Sequence, residues 1–223
     1  MNRPIKILRR AIQAAAALLA VAQFAPAMAT ENELAAIARG GRLYEDWAKE
    51  TGAAPLRTHE RATDRGKERP GRCVDCHGWD YRGREAPAAD PHLAKGMAAL
   101  RGADAEKIKA VLVDPTHNYR DFLAKEDLDD LAAFVAKGQV AMETVINPTT
   151  LRAQGESPKG TVFFQTICAN CHGNDGQQIV DTTPLGDTAR ANPWRALHTL
   201  LNGHPNGNMP SLRVMGMTTV LNM

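Results

Sequence analysis

Two pentapeptides constrain this chain more than any other feature: Cys73-Val74-Asp75-Cys76-His77 and Cys168-Ala169-Asn170-Cys171-His172. Each reads Cys-x-x-Cys-His, each is followed by glycine (Gly78, Gly173), and together they use all 4 cysteines. The spacing suits covalent haem, in which two thiols add to the two vinyl groups and the adjacent imidazole ligates the iron. Zinc sites and disulfides also use cysteine pairs, but neither accounts for a histidine directly after both. The pattern therefore implies two haem c groups, held by Cys73 and Cys76 with His77, and by Cys168 and Cys171 with His172.

The first residues bear on the compartment. Met1 to Ala29 has the form of a secretory signal: Arg3, Lys6, Arg9 and Arg10 precede the mostly apolar stretch from Ala11 to Ala22, and Ala27-Met28-Ala29 offers a cleavage site. That stretch falls short of the about 20 residues of a membrane span. We expect cleavage after about Ala29, a periplasmic mature protein and no transmembrane segment thereafter. Export also removes four basic residues, leaving 23 Lys and Arg against 25 Asp and Glu. The basic balance of the whole chain thus belongs to its leader, and nothing favours nucleic acid as a partner.

The pattern is helical throughout, with no convincing strand. Glu31 to Glu50 reads as a helix with Leu34, Ile37, Leu43 and Trp47 among its apolar positions, interrupted by Gly40-Gly41. The polar stretch from Thr51 to Arg72 reads as a loop. A second helix begins at an N-cap, Asp104, and stops before Pro115; a third covers Lys125 to Lys137 and ends at Gly138. Residues 142–158 read as a linker. Gly160 to Ile167 forms a short helix before the second motif, and Asn192 caps another that runs to Gly203, with Trp194, Leu197 and Leu201 on one side. The organisation is a signal at 1–29, an N-terminal domain at 30–141, the linker at 142–158 and a C-terminal domain at 159–223.

Both segments resemble class I cytochrome c domains. The resemblance rests on the two haem motifs, on Gly41-Arg42-Leu43-Tyr44 and Gly160-Thr161-Val162-Phe163, and on the stretch from Ala191-Asn192-Pro193-Trp194 to Asn208-Met209-Pro210, which is similar to small dihaem cytochromes. It covers essentially the mature chain. It implies a mainly α fold of two tandem cytochrome c-like domains, each built around its haem, with the Gly-x-x-aromatic element packing the first helix of a domain against its last. One departure stands out: only 13 residues follow Pro210, and they show no clear closing helix.

The resemblance also implies the distal ligands. For the second haem it points to Met209, in a Met-Pro after a glycine-rich turn, with Met215, Met217 and His204 nearby and His198 read as a surface or supporting residue. For the first haem His117 is the candidate, with Met97 as the alternative, His92 also available, and an open site the remaining possibility. A His/His first haem and a His/Met second haem differ in potential, the second being higher. The expected function is single-electron transfer between redox protein partners, a donor and an acceptor that could be a membrane-bound or periplasmic oxidoreductase. The alternatives are a dihaem peroxidase, a small-substrate dehydrogenase subunit, or a gas-binding sensor with an open first haem.

Overall fold

The computed structural model describes residues 29–53, 71–86, 93–179 and 182–223. The expected signal and most of the loop before the first motif lie outside these residues, as does His92.

The chain opens with α1, Glu31–Thr51. Gly40-Gly41 does not break it. The one non-helical residue inside is Asp46 (φ −161°, ψ 88°). The two glycines serve packing instead. A Cβ at Gly40 would overlap the Asp130 carbonyl and come within 2.7 Å of the Phe134 Cβ, whereas one at Gly41 would overlap the Asn202 side chain. Successive helical residues point about 100° apart. One glycine therefore admits the closing helix of the first segment, and the next admits a helix from the far end of the chain.

After α2, Val74–His77, the first segment continues through α3, Ala105–Leu112, and α4, Lys125–Ala133, which runs on as a π-helical stretch over Phe134–Gly138. Asp104 caps α3 as expected, accepting from the Glu106 and Lys107 amides at 2.9 and 3.1 Å. Arg39 of α1 ties α4 down by pairing with Asp127 and with Asp130. The core between them holds Leu43, Tyr44, Trp47, Leu131 and Phe134, all almost fully buried.

The stretch read as a linker is itself packed. It forms α5, Met142–Val145, and an antiparallel pair of two-residue strands, β1, Ile146–Asn147, and β2, Arg152–Ala153. Met142 and Ile146 are buried in the common core. This ladder escapes sequence periodicity because two residues cannot establish an alternation.

The second segment comprises α6, Ser157–Phe163, with a π-helical extension over Phe164–Cys168, then α7, Ala169–His172, α8, Leu185–Ala191, α9, Pro193–Asn202, and α10, Met217–Asn222. The short α10 stands where a closing helix belongs: a Cβ at Gly160 of α6 would overlap the Asn222 carbonyl. Asn192 caps α9 through the Arg195 amide at 2.9 Å, with Pro193 in its first turn. Residues 32–223 form one compact unit, since α9 lies on α1. The chain is mainly helical, and no described helix is long and apolar enough to cross a membrane.

Because Gly40 meets backbone rather than a movable side chain, Gly40→Ala should destabilise the protein by about 1–3 kcal/mol, the usual cost of overpacking. Gly186, whose Cβ would meet only ordinary contacts from 3.4 Å outward, is the control. Denaturant midpoints should fall for Gly40→Ala and stay level or rise for Gly186→Ala.

Candidate functional site

The two Cys-x-x-Cys-His turns are built alike, although the residues between the cysteines differ. In each, the four residues after the first cysteine are helical, so the two thiols, three positions apart, share a face. Each then ends on a glycine of left-handed φ: Gly78 at φ 77°, ψ 161° and Gly173 at φ 76°, ψ 163°. Glycine takes this conformation without the Cβ penalty. The later hydrogen bonds match in offset too. The amide six residues after each histidine returns to its carbonyl, Gly83 to His77 at 2.8 Å and Gln178 to His172 at 2.9 Å. None of the four cysteines is in a disulfide. Burial and the neighbouring Cys76 push the Cys73 thiol up to about 12, and burial also raises Cys168.

His77 is oriented by the segment that follows. The Ala94 amide bonds to the Cys76 carbonyl at 3.0 Å, which brings the Lys95 carbonyl to 2.8 Å from His77 Nδ1. A carbonyl only accepts, so Nδ1 donates and the neutral ring presents Nε2 with its lone pair. This is the arrangement that outer carbonyls impose on metal-ligating histidines.

His117 faces it. Asp114-Pro115-Thr116-His117-Asn118 forms a tight turn: Asp114 Oδ1 accepts from the amides of Thr116 at 2.8 Å and His117 at 2.9 Å, and Asn118 sits at φ 51°, where asparagine is tolerated. The same carboxylate lies 3.2 Å from His117 Nδ1, again leaving Nε2 free. The His77 and His117 rings lie with centroids 6.3 Å apart and planes 15° from parallel. Two imidazoles sharing one metal through bonds of about 2.0 Å have centroids roughly 6 Å apart. These two residues could therefore hold a single metal between them. Among the described residues no group of three or more His, Cys, Asp or Glu is placed to hold a metal ion.

Met97, the other candidate for this position, is 7% exposed and belongs to the core. Its amide donates to the Tyr81 carbonyl, and its carbonyl accepts from Gln139 Nε2 at 3.0 Å. The second site is less closed. Cys171 is exposed and His172 half-buried, and the exposed apolar side chains Val162, Phe163, Ile167 and Ile179 flank the motif in the chain. An apolar macrocycle attached there would find surface to cover. Met209 is half-buried, its carbonyl packed against Gly203 at the end of α9, and no described interaction joins it to His172. His204 Nδ1 lies 3.9 Å from a carboxylate oxygen of Glu45.

The sequence left His198 open as a surface or supporting residue. It is not on the surface but fully buried. Its Nε2 lies 3.0 Å from the Gly41 carbonyl and its Nδ1 2.9 Å from the Tyr81 hydroxyl. Since Gly41 can only accept, Nε2 carries the proton and Nδ1 accepts from Tyr81. The buried face of α9 is Leu197, His198, Leu201 and Asn202, while Trp194 is half-buried. Leu197 and Leu201 line the buried side as expected, and His198 and Asn202 extend that face with polar groups. No family model, curated protein or solved structure matches the chain.

Burial lowers the His198 pKa from 6.5 to about 3. The unfolded state thus binds a proton that the folded state does not at any pH between these values, and stability rises with pH across that window. Acidification below pH 6.5 should cost up to about 1.4 kcal/mol per unit from this residue. Urea titrations from pH 7 to pH 4 should show a shallower loss of stability in His198→Gln than in the wild type.

Proposed function

We propose that this chain is an exported dihaem c-type cytochrome that carries single electrons between redox protein partners. The observation that carries the reading is the His77–His117 pair: two imidazoles anchored through Nδ1, nearly parallel, at a separation suited to one shared iron. The matched geometry of the two Cys-x-x-Cys-His turns supports a second site of the same kind. Haem c, when bound, supplies reversible one-electron chemistry at iron.

The residues then have separate tasks. Cys73 and Cys76 tether the first macrocycle and Cys168 and Cys171 the second, while His77 and His172 serve as proximal ligands. The Lys95 carbonyl and the Asp114 carboxylate each hold an imidazole by its outer nitrogen and so fix ring orientation. His117 would hold the first haem together with His77, which disfavours a peroxidase or gas sensor, since both need an open iron. Met209 is proposed for the second haem, making its potential the higher and directing electrons from the first segment to the second. The signal-like stretch at 1–29 supports a periplasmic mature protein, where its donor and acceptor would be found.

The purified protein should carry two haems per chain by pyridine haemochrome, and Cys-to-Ala changes in either motif should remove one. His117→Ala should turn the first haem from six-coordinate to open, with carbon monoxide binding on reduction. An unchanged spectrum and potential would instead free His117 of the role. In Met209→Ala the near-infrared charge-transfer band of a Met-ligated ferric haem should disappear, and redox titration of the wild type should assign the higher potential to that centre.

A further inference from the structure

Resting on the dihaem reading, we propose that His198 is a positioning residue for electron transfer between the two centres, fixing α9 against the turn that follows the first motif. The residue belongs to the second segment by sequence, yet the described hydrogen-bond and aromatic partners of its ring belong to the first. Its two ring nitrogens engage Gly41 of α1 and Tyr81, four residues after His77. Trp79, two residues after His77, packs edge-on to the imidazole with centroids 5.3 Å apart, and Tyr44 and Phe134 close the remaining sides at 5.8 and 5.7 Å.

Tyr81 is itself held in place at some cost. It sits at φ 66°, a left-handed backbone that bulky residues rarely adopt, and its carbonyl takes the amides of both Met97 and Ala98. The strained turn aims a buried hydroxyl at His198. One turn further along α9, Asn202 is also fully buried: it fills the cleft at Gly41, its carbonyl accepts from Arg42 at 3.1 Å, and its side-chain oxygen accepts from Arg213 at 2.7 Å. α9 then leads through Gly203 directly into the loop that bears Met209.

These attachments are directional. An apolar face would bury as much surface but tolerate sliding and rotation of α9, whereas a buried donor and acceptor on one imidazole are satisfied at a single setting. The distal loop of the second site is thereby held at a fixed separation from the turn of the first. Electron transfer falls off steeply with the gap between centres, so His198 would act through spacing alone.

The test uses the full-length holoprotein. Haem content comes first, because fewer than two haems in the wild type would remove the dihaem reading irrespective of His198. Pulsed EPR between the ferric centres then gives their distance distribution, and flash reduction gives the internal transfer rate. His198→Leu and Tyr81→Phe should broaden that distribution and slow transfer by about tenfold or more, since a ~1 Å misplacement of a positioned pair is enough for such losses. The separate potentials and axial-ligand spectra should stay as in the wild type. His198→Gln, which keeps one donor and one acceptor, should restore both distance and rate. A wild-type distance and rate in His198→Leu would overturn the proposal. Should that variant fail to load both haems, Tyr81→Phe, which removes a single hydroxyl, decides by the same two measurements.

Discussion

Everything in this molecule hangs on the absence of two β-carbons in the middle of α1. Gly40 lets the α4 backbone approach until a methyl group would strike the Asp130 carbonyl, and Gly41 leaves room for the Asn202 side chain. With any larger residue at either position, one of the two helices would have to move outward. The contact at Gly40 closes the first segment; the contact at Gly41 joins the second segment to it. α1 then passes this order to the motif, because the Tyr44 hydroxyl donates to the Gly78 carbonyl at 2.5 Å and the Trp47 amide to the Gly71 carbonyl at 2.8 Å. The turn that carries Cys73, Cys76 and His77 is thus bracketed by bonds to the helix whose packing the glycines permit.

The joint between the segments is polar where most helix junctions are apolar. His198, Asn202 and Arg213 meet carbonyls and one another in a space also lined by Tyr44, Tyr81 and Phe134. Burying a polar group costs roughly 1–3 kcal/mol if it is left without a partner, and here the partners are present. Arg213 donates to the Gly138 carbonyl at 2.9 Å, tying the end of the second segment to the end of the first closing helix. Burial lowers its pKa to about 10, yet it stays charged at neutral pH. A network of this kind adds little net stability over an apolar joint, but it is satisfied in one arrangement only.

Local features were legible in the sequence because local chemistry decides them. Asp104 and Asn192 cap their helices through their own side chains, Gly138 ends the π-helical stretch after α4, and the two motif turns are set by a glycine immediately after the histidine. The Asp-Pro-Thr-His-Asn turn is likewise set by its own residues, whereas its approach to His77 is not. What could not be read was anything requiring knowledge of the partner. Close packing at Gly40-Gly41 was legible, but the partner at Gly41 was not, because Asn202 lies 161 positions away. His198 looked like a surface or supporting residue because a polar side chain on an amphipathic helix is normally assigned outward, and only Gly41 and Tyr81, both distant in sequence, make it fit inside. The packing of Met142 and Ile146 was hidden for the same reason.

The two motif sites differ in how firmly their surroundings are determined. At the first, each imidazole is held by an outer acceptor, the acceptor is held by its own turn, and the segment from Ala94 to Met97 is bonded to the motif on one side and to Tyr81 on the other. Removing any one link leaves the others in place. At the second, Cys171 is exposed, apolar side chains near the motif face solvent, and the loop from Gly203 to Pro210 is anchored through α9 and through Glu50 of α1, which accepts from the Asn206 amide at 2.8 Å. Its geometry is therefore borrowed: α9 is set by Gly41, His198 and Asn202, which belong to or face the first segment. On the dihaem reading, ligand placement at the second centre depends on the integrity of the first segment while the converse dependence is weak. Damage to α1 should disturb both centres, whereas damage to α6 or α10 should remain local to the second.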